Sequence, residues 1–391
     1  MARRVFVHIG TPKSGTTYLQ SLWWHNHAAL AEQGLLLPGG SADAQFQASA
    51  VVRDNAGVLA TMTERQLGAW DRLVAEVEAW QGDALISQEQ LVETSLEDAA
   101  AALARLRAVA DEVHVVVTVR DLVRQVPSAW QQRVKHGSPS TLGKFFTRVA
   151  KDDPAFNFWH HQDVPRILER WAADLPPAQV HVVVLPRPGA ASDLLWRRTC
   201  ELLGIDDAGL SLDAPVANET LAPAEIAFLR GVNAHFRNAH LDVALSRRVK
   251  GFMEPRLGGA APARIALAPE MHAWLVERGN RMVDELAAGP WHVVGDLDDL
   301  RPDAEPGEGV DPDAVPDDEV LSVAQAFIAA ELLARADGTP PAAAEHDPEP
   351  GSEPGSEPDS EPGSEPEASG LNTALGRVLR RLAGQRGTNA Q

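Results

Sequence analysis

Within the first 33 residues a short β-rich run gives way to a glycine-bearing loop and then to a helix. Residues 4–9, Arg-Val-Phe-Val-His-Ile, favour a strand and stop at Gly10. The loop Gly10-Thr-Pro-Lys-Ser-Gly15 follows, and from Thr16 to about Gln33 the residues Leu19, Leu22, Trp23 and Leu30 recur at helical spacing. A helix entered this way lies back on the sheet, and the next strand then runs parallel to the first. The unit recurs downstream. Ala84–Ser87 precedes a helix from about Leu96 to Ala110, His114–Val119 precedes Leu122–His136, and Val180–Leu185 precedes Ser192–Leu203. Strands alternating with helices predict an α/β fold, a parallel sheet flanked by helices. Past Gly204 the pattern changes. Ala222–Asn238 and Pro269–Ala288 read as helices with little strand, a helical C-terminal extension over about 205–300.

Charge divides the chain further. Its formal net charge is −20, but residues 301–370 carry 19 acidic and 2 basic side chains, and residues 371–391 carry four arginines and no acid. Residues 1–300 hold 36 acidic against 29 basic side chains, so the acidity does not exclude an anionic ligand there. We expect residues 1–300 to form the α/β domain and 301–339 an acidic linker with a possible helix at 322–336. Residues 340–370 are low complexity, with Gly-Ser-Glu-Pro at 351–354, 355–358 and 363–366, and read as a disordered acidic tail. Leu371, Leu375, Val378, Leu379 and Leu382, with Arg377, Arg380 and Arg381, predict a basic amphipathic helix over 371–391, suited to a weak contact with a partner or a membrane. No apolar run reaches the length of a membrane span, and the first ten residues lack the pattern of a signal peptide. Cys200 is the one cysteine, so no intrachain disulfide forms. These features lead us to expect a cytoplasmic protein with no transmembrane segment.

The loop carries the chemistry. A turn between strand and helix, with backbone N–H groups and the helix N-terminus converging, cradles an anion. Gly10 and Gly15 let the backbone approach it closely. The Walker A pattern places Lys directly after its second glycine. Here Thr16 stands there, and the lysine is Lys13, inside the loop. No apolar strand ends in an aspartate placed to hold Mg²⁺, since Asp121 comes behind Arg120. A second element lies at the end of the strongest strand: Arg120 follows Val119, and Ser128 comes eight residues later, about two helical turns on.

Pro12-Lys-Ser-Gly-Thr-Thr17 resembles the 5′-phosphosulfate loop of sulfotransferases that use 3′-phosphoadenosine 5′-phosphosulfate (PAPS), and Arg120 with Ser128 matches the same family's 3′-phosphate motif. The resemblance spans about residues 4–300 and is similar to bacterial sulfotransferase-like proteins of P-loop fold. It implies that Lys13 sits by the bridging oxygen and that Pro12, Lys13, Ser14, Gly15, Thr16 and Thr17 hold the 5′-phosphate. Tyr18 takes the position where many members stack a Trp on adenine. It further implies that Glu89, in Ser87-Gln-Glu89, removes the acceptor's proton, with Ser87 in support. His136 and His8 are alternative bases. Arg133 or Lys135 either reaches an anionic ligand or forms a solvated helix face. The late Arg-Lys-Gly segment of cytosolic members is absent, with Arg248-Val-Lys-Gly251 a faint echo.

His25 and His27, and His160 and His161, lack partners at ligand spacing, so no metal is expected. The activity implied is transfer of a sulfuryl group from PAPS to a hydroxyl or amine of a small molecule, glycan or lipid, with no nucleic-acid partner. Two alternatives remain: a non-catalytic sulfotransferase-like binding protein, and a P-loop nucleotide kinase or hydrolase.

Overall fold

A computed structural model describes residues 1–213, 221–238, 257 and 263–336. The acidic repeat at 340–370, the basic helix expected over 371–391 and Arg248-Val-Lys-Gly251 lie outside the described residues. The six described strands are β1 (Ala2–His8), β2 (Leu35–Leu36), β3 (Asp83–Ser87), β4 (Ala110–Val119), β5 (Val180–Val184) and β6 (His292–Val294). They form a wholly parallel sheet in the order β2-β3-β1-β4-β5-β6. The α/β fold expected from the sequence is therefore present, with two additional strands. The short β2 and β6 escaped the hydrophobic pattern because two or three residues carry no periodicity. Strand β6 is the little strand found past Gly204, and its His292 pairs with His181 of β5.

Each strand alternates between two helical layers. One layer holds α1 (Thr16–His25), α2 (His27–Glu32) and α12 (Leu194–Leu203), whose Leu19, Leu22, Leu30 and Trp196 pack on Phe6, Leu85, Val116 and Val183. The opposite layer receives Val5, Val7, Ile86, Val115, Val117 and Val182. It is built from α3 (Ala42–Val52), α6 (Ala69–Ala79), α7 (Leu96–Arg107), α8 (Leu122–Lys135), α9 (Leu142–Ala150), α10 (Phe158–Gln162) and α11 (Val164–Ala172), with α13 (Pro223–Asn238), α14 (Pro269–Ala288) and α15 (Asp317–Ala336) outside them. Two short turns, α4 (Ala56–Leu59) and α5 (Glu64–Leu67), bury no side chain and lead from α3 to α6.

The helix expected over residues 16–33 is broken at Asn26. Its side-chain amide donates to the carbonyls of Leu22 and Ser211, both at 2.9 Å, and accepts from Ser211 N at 2.8 Å. A short amide that bonds locally competes with the helix ladder, which is why the chain turns there. The segment leading to α15 lies against the body: Asp313 accepts from the N–H groups of Leu142 and Gly143 and from Arg230.

The topology locates the site. The chain builds β2 and β3 on one side of β1 and then crosses to build β4, β5 and β6 on the other. In such a sheet the loops leaving the strand ends on either side of the reversal part, and a crevice opens at the carboxyl ends. The segments leaving β1, β3, β4 and β5 there are those beginning at Ile9, Gln88, Arg120 and Leu185.

Candidate active site

The loop after β1 is shaped by its backbone. Gly10, Lys13 and Gly15 all have positive φ, at 42°, 71° and 85°. Left-handed residues on either side of Ser14 alternate the chain's hand, which gathers N–H groups into an anion-binding concavity. Gly15 is required on two grounds: its φ, and a Cβ that would lie 2.7 Å from Leu195. Lys13 holds the same region without a glycine's freedom, a placement that an L-residue adopts only where its surroundings hold it. Its carbonyl accepts from Arg120 Nη1 at 3.3 Å, and its ammonium donates to Gln132 Oε1 at 3.2 Å. The preceding carbonyl, of Pro12, accepts from Gln125 Nε2 and, at 3.2 Å, from Gln162 Nε2.

The loop's hydroxyls face different ways. Ser14 is fully buried, and its Oγ contacts Thr118 Oγ1 at 2.7 Å and donates to Thr11 O at 2.5 Å. It braces the floor of the loop. Thr16 opens α1, and its Oγ1 donates to the carboxylate of Glu89. Thr17 and Tyr18 follow on the first turn, both half-buried. Tyr18 Oη reaches Ser192 O at 3.4 Å. A cleft opens beside it, lined by Gly15, Tyr18, Leu185, Arg187, Ala191 and Leu195. Arg187 ties this wall to the segment after β6 by donating to Asp298 O at 2.6 Å and to Asp303 at 3.2 Å.

Glu89 begins the short 3₁₀ turn Glu89–Glu93 after β3 and is half-buried. Its contact with Thr16 brings the two strand-end motifs together. Ser87 does not turn toward it: its hydroxyl meets His8 Nδ1 at 2.8 Å, its amide donates to Gln45, and Gln20 donates to its oxygens. His8 is buried between Ser87 and Thr118, and burial pushes its imidazole down to about 3. It is a neutral core group. His136 ends α8, exposed, with Nε2 2.9 Å from Gln132 Nε2, so Gln132 links it to Lys13.

The fourth wall is the start of α8. Asp121 caps the helix by accepting from Arg124 N at 2.9 Å and pairs with the Arg124 guanidinium, so it is engaged in structure. Arg120 and Arg124 lie close enough that burial, and secondarily repulsion from Arg124, lower the Arg120 guanidinium to about 10. Arg120 Nε and Arg124 Nη2 are buried and have no hydrogen-bond partner among the described residues. Buried N–H groups are nearly always satisfied, so two unpaired donors on neighbouring guanidiniums are an exception in this part of the fold. Ser128 is half-buried farther along α8.

Of the residues singled out in the sequence, Lys13, Thr16, Glu89 and Arg120 thus meet at one loop. Arg124, Gln125, Gln132 and Gln162 were not flagged. Gln125 and Gln132 lie seven residues apart on α8, a helical repeat that a search for polar residues facing the loop would have found. Arg53, Arg133, Arg170 and His160 lie near His161 by the 3₁₀ turn, and burial, then its interactions with His160 and the three guanidiniums, pushes His161 down to about 3. Among the described residues no group of three or more His, Cys, Asp or Glu is arranged to hold a metal, and no helix is long and apolar enough to cross a membrane.

No protein-family model matches the chain, and no curated protein matches it. Among solved structures it is similar to a sulfotransferase from Alicyclobacillus acidocaldarius, with 15% identity and a TM-score of 0.36. That match covers 63% of this chain and 100% of the other.

Proposed function

We propose that the chain transfers a sulfuryl group from PAPS to a hydroxyl or amine acceptor, in the cytoplasm. The observation that carries the reading is convergence. Lys13 after β1, Glu89 after β3 and Arg120 after β4 meet at one loop, through the Thr16–Glu89 and Arg120–Lys13 contacts. The 5′-phosphate takes the N–H concavity of residues 13–17. The 3′-phosphate takes the orphaned donors of Arg120 and Arg124, with Ser128 alongside. The adenine takes the cleft beside Tyr18. Both phosphates then meet fixed cations, in keeping with the split of charge along the chain.

In the reaction the acceptor oxygen or nitrogen attacks sulfur in line, and the bond between sulfur and the bridging oxygen breaks. Glu89 takes the acceptor's proton, and Lys13 moves from Gln132 to the charge that develops on the departing phosphate. A sulfuryl group carries less charge than a terminal phosphoryl group, so a lysine and backbone donors suffice. The products are the sulfated acceptor and adenosine 3′,5′-bisphosphate.

One contact favours a second reading. A loop threonine beside a carboxylate from the neighbouring strand is also the pair that holds Mg²⁺ in nucleoside triphosphatases. Against it stands the missing lysine after Gly15. Radiolabelled PAPS offered with a panel of hydroxyl and amine acceptors, in EDTA, tests the proposal. Label transfer that Glu89→Gln abolishes supports it. Bisphosphate binding without transfer to any acceptor points to a binding protein, and turnover of ATP only with Mg²⁺ points to the second reading.

A further inference from the structure

Helix α15 has two apolar faces, and the described residues cover only one. Val320, Val323, Ala324 and Phe327 pack into the main core, with Phe327 5.8 Å from Phe228 of α13. Next to that face Leu321, Ile328, Leu332 and Leu333 are 36, 49, 61 and 65% exposed. Leu321, Ile328 and Leu332 fall at i, i+7 and i+11, a straight stripe about 16 Å long. A stripe of this kind on a helix already anchored by the adjacent face calls for a second helix.

The chain itself carries a matching segment. Leu371, Leu375, Val378, Leu379 and Leu382 repeat at helical spacing beyond the described residues. Spaced seven and then four, the stripe on α15 is matched by Leu382, Leu375 and Leu371 read backwards. An antiparallel helix would set Leu382 on Leu321, Leu375 on Ile328 and Leu371 on Leu332. The same spacing is also met in the parallel direction, by Leu371, Val378 and Leu382. Charge decides between the two. Antiparallel packing sets Arg386 opposite Asp317, in a first turn that holds Asp317, Asp318 and Glu319. Parallel packing sets Glu367 opposite Asp317 and brings Arg386 to the end where Arg335 lies. Antiparallel helices also oppose their dipoles favourably. The connection suffices, because the 34 residues from 337 to 370 reach about 30 Å as a coil, whereas neighbouring helix axes lie about 10 Å apart.

We infer that the exposed stripe of α15 is the seat of the chain's own segment 371–386, bound as an antiparallel helix. The inference is independent of the reaction proposed above.

Cysteine pairs in the full-length chain test it. Cys200 does not interfere, since it is buried and burial pushes its thiol up to about 12. The pair Leu321→Cys with Leu382→Cys is expected to lose both added thiols on mild oxidation while the protein stays monomeric. The pair Leu321→Cys with Leu371→Cys is expected to keep them. In the chain without added cysteines, Leu332→Glu is expected to speed amide exchange across 371–386. Faster closure of the 321/371 pair would overturn the direction and with it the inference. A disulfide-linked dimer would assign the stripe to a second copy, and closure of neither pair with unchanged exchange in Leu332→Glu would leave the stripe without this occupant. Binding to phosphatidylserine vesicles that protects 371–386 from exchange, while the stripe stays accessible, would also overturn it.

Discussion

Lys13 combines two demands that rarely meet in one residue: a left-handed backbone and a long cationic side chain. Arg120 on its carbonyl and Gln132 on its ammonium hold both. Removing the cation therefore separates binding from folding. Lys13→Ala and Arg120→Ala are each expected to weaken adenosine 3′,5′-bisphosphate binding by roughly ten- to a hundredfold, since a hydrogen bond to a charged group contributes about 1.5–3 kcal/mol. Titration calorimetry reads this, and unchanged affinity in both variants would remove them from the site. Arg124→Ala should behave like Arg120→Ala if its orphaned N–H meets the same anion. Gly15→Ala strikes the loop itself, through its φ and the contact with Leu195. A lowered thermal midpoint together with lost binding is expected, and wild-type stability would show that the turn tolerates a Cβ. Much of this site was legible in the sequence because Lys13, Glu89 and Arg120 each follow a strand, and strand ends converge in a parallel sheet. Gln125 was readable from its helical spacing to Gln132, but Arg124 and Gln162 were not, because their roles depend on how α8 and α10 lie against the loop, a tertiary relation that no local spacing encodes.

At the level of elements, the parallel sheet hides a polar line among its apolar rows. His114 Nδ1 meets His181 Nε2 at 2.8 Å, and His181 Nδ1 meets His292 Nδ1 at 2.9 Å, while His114 Nε2 reaches Glu112 at 3.1 Å. Rings that each donate once and accept once satisfy the line in the neutral state, joining β4, β5 and β6 on the face that carries Val116 and Val183. Burial, and then repulsion from His114, His292 and Arg4, pushes His181 down to about 3, and burial lowers His114. With His8 and His161 also near 3, the folded protein refuses protons that the unfolded chain accepts at about 6.5. The sign follows: their contribution is intact above pH 6.5 and is lost as pH falls from there toward 3, by up to about 1.4 kcal/mol per pH unit for each buried histidine. Urea midpoints measured from pH 7.5 to 4.5 should fall, and His181→Phe should flatten the slope. A flat profile in the wild type would contradict the burial of these rings. The helices α7, α8 and α14 were legible from their periodicity, and the central strands from their β-branched runs. Helix α6 was readable but missed: Trp70, Leu73, Val74 and Val77 recur at i, i+3, i+4 and i+7. Strand β6 was not readable, because three edge residues become a strand only by pairing with β5.

For the molecule as a whole, the decisive property is where charge stands relative to topology. A net charge of −20 would repel a polyanion if spread evenly, but most of the excess lies beyond residue 300. The strand ends on both sides of the sheet's reversal carry Lys13, Arg120 and Arg124 toward one crevice, and among the described residues an N–H group of Arg120 and one of Arg124 are buried without a partner. That arrangement is the basis of the proposal that the crevice takes a ligand with two separated phosphates. Titrating the full-length protein with adenosine 3′,5′-bisphosphate in EDTA, beside ATP with and without Mg²⁺, tests this most directly. Saturable one-to-one binding of the bisphosphate without metal is expected, with markedly weaker binding of ATP under either condition. No heat of binding for the bisphosphate, or tight binding of ATP that requires Mg²⁺, would contradict it.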